Sequence, residues 1–177
     1  LRSYMGDDFD FNHGKNAEGL ILSLGADQDD SSEMIIHNGP AIGSDGTLYL
    51  GTSKGFKALS RDKLDNPSFS IGNGNFVAPA ITEHDIDGKN YKNHYVITGS
   101  GTTLYAIEVD ATGNKTDEIT IAVNGVILQV TTDDKGNIYV VAGNSIYKFT
   151  IESSEDDTDI KELKPIKSFG DNGEVEL

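Results

Sequence analysis

One strand-turn-strand phrase is written three times along this chain. Its clearest copy is Pro40-Ala41-Ile42-Gly43-Ser44-Asp45-Gly46-Thr47-Leu48-Tyr49-Leu50-Gly51. Looser copies run from Pro79-Ala80-Ile81 to Tyr95-Val96-Ile97-Thr98-Gly99 and from Leu128-Gln129-Val130 to Ile138-Tyr139-Val140-Val141. Tyr49, Tyr95 and Tyr139 therefore stand 46 and 44 residues apart. That period is too long for a hairpin and suits a stacked unit of about four strands. A chain built this way forms its core between copies of one sheet, so its fold class is all-β.

Within each copy the reading is a meander of antiparallel strands. Asp45-Gly46 between two alternating apolar runs is a strong hairpin signal, because glycine supplies the positive φ of a tight turn. The third strand of each unit is Phe56-Lys57-Ala58-Leu59, Leu104-Tyr105-Ala106-Ile107 and Ile146-Tyr147-Lys148-Phe149, each apolar at its first and last position. Outer strands are expected at Ser68 to Ile71, Glu118 to Val123 and Lys164 to Phe169. Such a repeat predicts a β-propeller of four-stranded antiparallel blades, at approximately 36–74, 75–124 and 125–170, with 17–25 as the outer strand of a preceding blade. Three blades and partial ones fall short of the four to eight of a usual ring. Either the N-terminal strands join Glu174-Val175-Glu176-Leu177 in a fourth blade, or the chain is an arc of a larger propeller. The arc is the favoured expectation, and it needs the remainder of its own propeller or another copy to cover its faces.

Composition removes several functions. The chain of 177 residues has 29 acidic and 14 basic side chains, a formal charge of −15, which repels nucleic acid and anionic membrane. It has no cysteine, so disulfides, thiolate metal sites and thiol nucleophiles are absent. No apolar run is long enough to span a bilayer as a helix. The first residues, Leu1-Arg2-Ser3-Tyr4-Met5, read as those of a processed or excised product and not as a signal peptide.

The phrase Pro40 to Gly51, followed by Phe56-Lys57-Ala58-Leu59, resembles the repeat of the pyrroloquinoline-quinone-like (PQQ-like) β-propeller superfamily. Thr103-Leu104-Tyr105-Ala106-Ile107-Glu108-Val109-Asp110 is similar in style, and the likeness covers roughly 36–151. The tail from Phe169 to Leu177 is similar to a stretch of quinoprotein dehydrogenases. In those enzymes the quinone lies between a tryptophan and a disulfide of adjacent cysteines, with Glu, Asn and Asp around calcium. This chain has neither tryptophan nor cysteine, so that platform transfers to no position. The resemblance implies instead the non-catalytic branch, which includes a periplasmic lipoprotein that helps assemble outer-membrane barrels and many surface proteins.

Among local patterns the sharpest is the lengthened second hairpin, Glu83-His84-Asp85-Ile86-Asp87-Gly88-Lys89-Asn90. Carboxylates at alternate positions before a glycine resemble the opening of a calcium loop, with Glu83, Asp85, Asp87 and Asn90 as the metal ligands. The plain alternative is a solvated hairpin tip, since the closing position of the loop is His94. His84 and His94 flank that tip and are the one histidine pair placed to share a metal, because no zinc spacing exists. Asp133-Asp134-Lys135-Gly136-Asn137 reads as a turn, and the three tyrosines as packing between sheets rather than a sugar-stacking row. Asn114-Lys115-Thr116 is a formal glycosylation acceptor. No nucleophile elbow or phosphate loop is present.

The expectation is thus a non-catalytic binding or scaffolding propeller module with a protein partner, in a bacterial periplasm or outside the cell. It would carry no cofactor, or calcium alone. Two alternatives stay open: a fragment of a PQQ-dependent quinoprotein dehydrogenase, and a calcium-stabilised adhesin or pilus-associated propeller.

Overall fold

The computed structural model describes residues 39–60, 68–82, 94–153 and 161–177. Those residues are all-β, in three antiparallel sheets, with no helix and no closed barrel among them. The first sheet runs in order through β1 (Ala41–Ile42), β2 (Leu48–Thr52), β3 (Gly55–Leu59) and β4 (Phe69–Ile71). The second holds β5 (Ala80–Thr82), β6 (His94–Ser100), β7 (Thr103–Val109) and β8 (Lys115–Ala122). The third holds β9 (Ile127–Thr132), β10 (Ile138–Ala142), β11 (Ser145–Ser153) and β12 (Lys161–Pro165), and β13 (Glu174–Glu176) also pairs with β11. Segment 17–25 lies outside the described residues.

In each sheet the strands run as a meander in chain order, and a two-residue turn joins the second strand to the third. The third outer strand departs from the sequence reading. It starts at Lys161 and stops at Pro165, whose ring removes a ladder donor, and residues 166–173 leave the sheet before β13 rejoins it. The C-terminal strand therefore completes the third sheet instead of contributing to a fourth. The second hairpin also keeps its own register. Tyr49 faces Ala58 and Tyr139 faces Lys148, whereas Tyr95 faces Glu108, because β6 and β7 are each seven residues long and β2 and β10 only five. Aligning the third strands by their turns, as the sequence invites, misplaces the second one by two residues.

The core lies between sheets. Tyr49, Phe56, Ala58, Ile71 and Phe76 pack against Val96, Ile107 and Val109 of the second sheet. On its other face Tyr95, Ile97, Leu104 and Ala106 meet Ile138, Val140, Tyr147, Phe149 and Leu163 of the third. Val96 and Ile97 are neighbours in sequence, point to opposite faces by strand pleating, and are both fully buried. The first strands of consecutive sheets adjoin, β1 beside β5 and β5 beside β9. Thr132 Oγ1 donates to the Ile81 carbonyl across the second of these junctions, at 2.7 Å.

The repeated tyrosine has a different fate at each interface. The Tyr49 hydroxyl is hydrogen-bonded to His94 Nε2 at 3.0 Å, and both side chains are buried. His94 is the residue before Tyr95; the corresponding residue before Tyr139 is Ile138, which offers no polar atom. Among the described residues the buried Tyr95 hydroxyl accordingly has no hydrogen-bond partner. Replacing Tyr49 by Phe is expected to cost about 1 kcal/mol of stability. Replacing Tyr95 by Phe is expected to cost less than that, because its buried hydroxyl makes no well-formed hydrogen bond. Urea unfolding of both variants checks the contrast, and equal losses would contradict it.

Candidate functional site

Meander topology sorts the connections of these sheets to two ends. The turns between first and second strands, and between third and fourth, lie at one end. The turns between second and third strands, with the links from sheet to sheet, lie at the other. The first end is acidic, carrying Asp45, Asp110, Asp133 and Asp134 with Lys135 among the described residues. The strand ends joined by the acidic segments 83–93 and 154–160 also lie there, at Thr82, His94, Ser153 and Lys161. The connections of the opposite end contribute Lys54, Lys167 and Asp171.

Three aspartates build the turns of the acidic end. Asp45 accepts from the Thr47 amide at 3.0 Å and from the Thr47 hydroxyl at 2.6 Å. Asp110 accepts from the Thr112 amide and hydroxyl, at 2.8 and 2.7 Å, and from the Asn114 amide at 3.0 Å. Asp133 accepts from the amides of Lys135 and Asn137, the Asn137 side chain and the Tyr139 hydroxyl. Local side-chain bonds of this kind are why aspartate recurs at turns. They also hold these carboxylates as acceptors for their own backbone. Turns from neighbouring sheets touch here: a methyl added at Gly113, whose φ is +81°, would lie 2.8 Å from an Asp45 carboxylate oxygen and 2.7 Å from Thr47 Oγ1.

Between the second and third sheets, near the same end, is a polar cluster. Lys161 Nζ donates to Glu108 at 2.7 Å and lies 5.5 Å from the centre of the Tyr95 ring. The Thr116 hydroxyl donates to Glu108 at 3.1 Å. Burial, foremost, holds the Tyr95 phenol at about 12, with Lys161 drawing it down and Glu108 raising it. Burial opposes the charge of Lys161, yet the bond to Glu108 and the neighbouring phenol outweigh it and its pKa is raised. Tyr49 is pushed upward by burial first and by the charge of Asp45 next.

The expected metal ligands Glu83, Asp85, Asp87 and Asn90 lie outside the described residues, as does His84. Its proposed companion His94 is described, and its Nε2 is engaged with Tyr49. Among the described residues no three His, Cys, Asp or Glu side chains gather as a metal site. Tyr49 and Tyr95 are packing residues buried between sheets, and Tyr139 is half-buried. Asn114 Nδ2 donates to Thr112 Oγ1 at 2.7 Å, so the acceptor side chain is part of its own turn. The Glu108 cluster and the Asp110 turn were missed by the sequence reading. Glu108 had a readable signal, because Leu104, Ala106 and Glu108 share one face and the last breaks an apolar register.

No protein-family model matches the chain, and no curated protein matches it. Among solved structures it is similar to a protein of unknown function from Bacteroides caccae, with 18% identity and a TM-score of 0.43 over 63% of this chain. The similarity spans 40% of that protein's length.

The turn carboxylates make a pH prediction. The bond from the Thr112 hydroxyl, then the amides of Asn114 and Thr112, hold Asp110 at about 2, and the Asn137 side chain leads the groups that hold Asp133 at about 2. Both folded values are lowered, so their contribution to stability is present above the ordinary carboxylate pKa and is lost as pH falls toward about 2. Carboxyl-carbon NMR titration should find both groups still ionised at pH 3, while solvated carboxylates are largely protonated. Midpoints near 4 for these two residues would contradict the turn geometry.

Proposed function

We propose that this chain is a non-catalytic binding or scaffolding module built of PQQ-like β-propeller blades, an arc of a larger propeller that presents its acidic end to a protein partner. The observation that carries the reading is the separation of roles along the strands. Stacked sheets hold the apolar groups, and the longer acidic connections are collected at one end, where they can vary without disturbing the core. Adjoining first strands, β1 beside β5 beside β9, agree with blades ordered from a centre outward. The carboxylates of Asp45, Asp110 and Asp133 are committed to turn structure, which suits them to a fixed negative surface. A partner with basic groups complements that surface and gains association rate from it. We place the module in the cell envelope or outside the cell, on the repeat's resemblance to periplasmic and surface propellers.

Capture from a cell-envelope extract tests the reading with three proteins: the wild type, a double variant Asp134→Lys with Asp156→Lys, and Lys54→Glu at the opposite end. The expected result is a defined partner retained by the wild type and by Lys54→Glu and lost from the double variant. Equal retention by all three, or retention by none, would overturn it. Thermal unfolding tests the calcium reading of Glu83, Asp85, Asp87 and Asn90. A Tm that rises with calcium and no longer does so after Asp85→Asn with Asp87→Asn would make this a calcium-stabilised propeller. A Tm indifferent to calcium and chelator would remove calcium from the proposal.

A further inference from the structure

The outer edges of the three sheets are not equivalent. β4 is three residues long. β12 has five, and with Ile166 N–H bonded to the Lys148 carbonyl, alternation turns Lys161, Leu163 and Pro165 outward, so its last outward position has no N–H to offer. β8 runs for eight residues without proline, and among the described residues no strand lies beyond it. Edges of that length are usually shortened, covered or broken by proline, because their unpaired backbone groups are a template for another strand.

The direction of each backbone group of β8 follows from one bond. Val123 N–H donates to the Thr102 carbonyl at 2.9 Å, and the register continues through Thr103 with Ala122 and Leu104 with Ile121. Bonded positions alternate in an antiparallel pair, so Ile121, Ile119 and Asp117 turn their backbone groups to β7, while Ala122, Thr120 and Glu118 turn theirs to the open edge. The Glu118 N–H agrees with this, because it donates to the Asp117 carboxylate of its own strand at 2.7 Å. The Glu118 carboxylate accepts from Lys115 Nζ at 2.6 Å. One face of β8 therefore carries the exposed Asp117 followed by Ile119 and Ile121, both half-buried against the core between the second and third sheets.

We propose that the outer edge of β8 takes an added antiparallel strand from a partner, an extended peptide with two apolar residues and then a lysine or arginine at alternate positions. Backbone pairing at Ala122, Thr120 and Glu118 holds such a strand, and its side chains give the selectivity. The apolar residues cover Ile121 and Ile119, and the cation meets Asp117. Drawing the Asp117 carboxylate to that cation releases the Glu118 N–H for a peptide carbonyl. Asp117 thus closes the edge to strands that lack the cation. A second copy of β8 is a poorer occupant: antiparallel edges centred on Glu118, Ile119 or Thr120 set Asp117 opposite Ile119, Ile121 or Val123, a carboxylate against an apolar side chain in each register. This edge is distinct from the acidic turns, and a strand seated on it leaves Asp45 and Asp133 in their own bonds.

NMR titration of the full chain with the end-capped peptide Thr-Val-Thr-Val-Thr-Lys-Thr tests the assignment. Saturable shifts of the Glu118, Thr120 and Ala122 amides are expected. Exchanging the peptide lysine for glutamate should weaken binding by about fivefold or more, and Asp117→Lys should reverse that preference. N-methylating the two peptide threonines that face Thr120 and Glu118 removes the pairing donors without altering the protein, and should abolish binding. Amides of β8 that do not respond would overturn the proposal. Equal affinity for the lysine and glutamate peptides would do the same, as would a response that survives N-methylation. Shifts that follow the chain concentration with no peptide present would give the edge to a second copy and overturn it as well.

Discussion

The second sheet is buried on both faces, and the rest of the molecule depends on that. Six successive residues of β6, from His94 to Gly99, are buried, so the strand cannot follow the alternation in which one face meets water and the other meets the core. Each polar group on it then needs a partner supplied by a neighbour, since an unsatisfied buried group costs about 1–3 kcal/mol. Thr98 donates to the Val77 carbonyl and His94 bonds Tyr49 of the first sheet. Glu108, on the adjoining strand, draws Lys161 from the outer strand of the third sheet.

These partners make the two interfaces chemically distinct although they are built on one repeat. Between the first and second sheets the repeated tyrosine is satisfied by a histidine close to it in the fold. Between the second and third the corresponding residue is Ile138, and the polar work passes to a lysine and a glutamate 53 residues apart in sequence. Repeats that diverge at such positions gain a fixed order of stacking, because the Glu108–Lys161 pair belongs to one interface and the Tyr49–His94 bond to the other. The orphan hydroxyl of Tyr95 is the cost left at the point of divergence.

The same division separates the apolar core of the stack from the acidic turns at one end of it. Apolar side chains between sheets supply the stabilising burial, and turn aspartates fix the acidic end with short local bonds that need no long-range support. A fixed negative surface on a rigid stack would lose little conformational entropy on binding the partner proposed above. On the outer face of the third sheet Phe169 lies edge-on to Tyr139.

Much of this was legible in the sequence. The recurrence of Tyr49, Tyr95 and Tyr139, and turns such as Asp45-Gly46 and Asp133 to Asn137, determined all-β meanders, since period-two burial and positive-φ turn residues act over a few neighbouring positions. Tyr49 and Tyr95 as packing residues between sheets followed from the same periodicity, while Tyr139 lies half-buried on an outer face. Strand register in the second hairpin did not, because it is set by pairing between two lengthened strands and not by distance from their turn. The excursion of residues 166–173 escaped for a related reason: Lys164 to Phe169 reads like a strand, and only the joint pairing of β11 with β12 and β13 turns 166–173 out of the sheet. The Glu108–Lys161 pair and the burial of both faces of β6 were decided by tertiary structure alone, because they depend on which sheets stack against each other, and a repeat states that its units are alike without stating what each one meets.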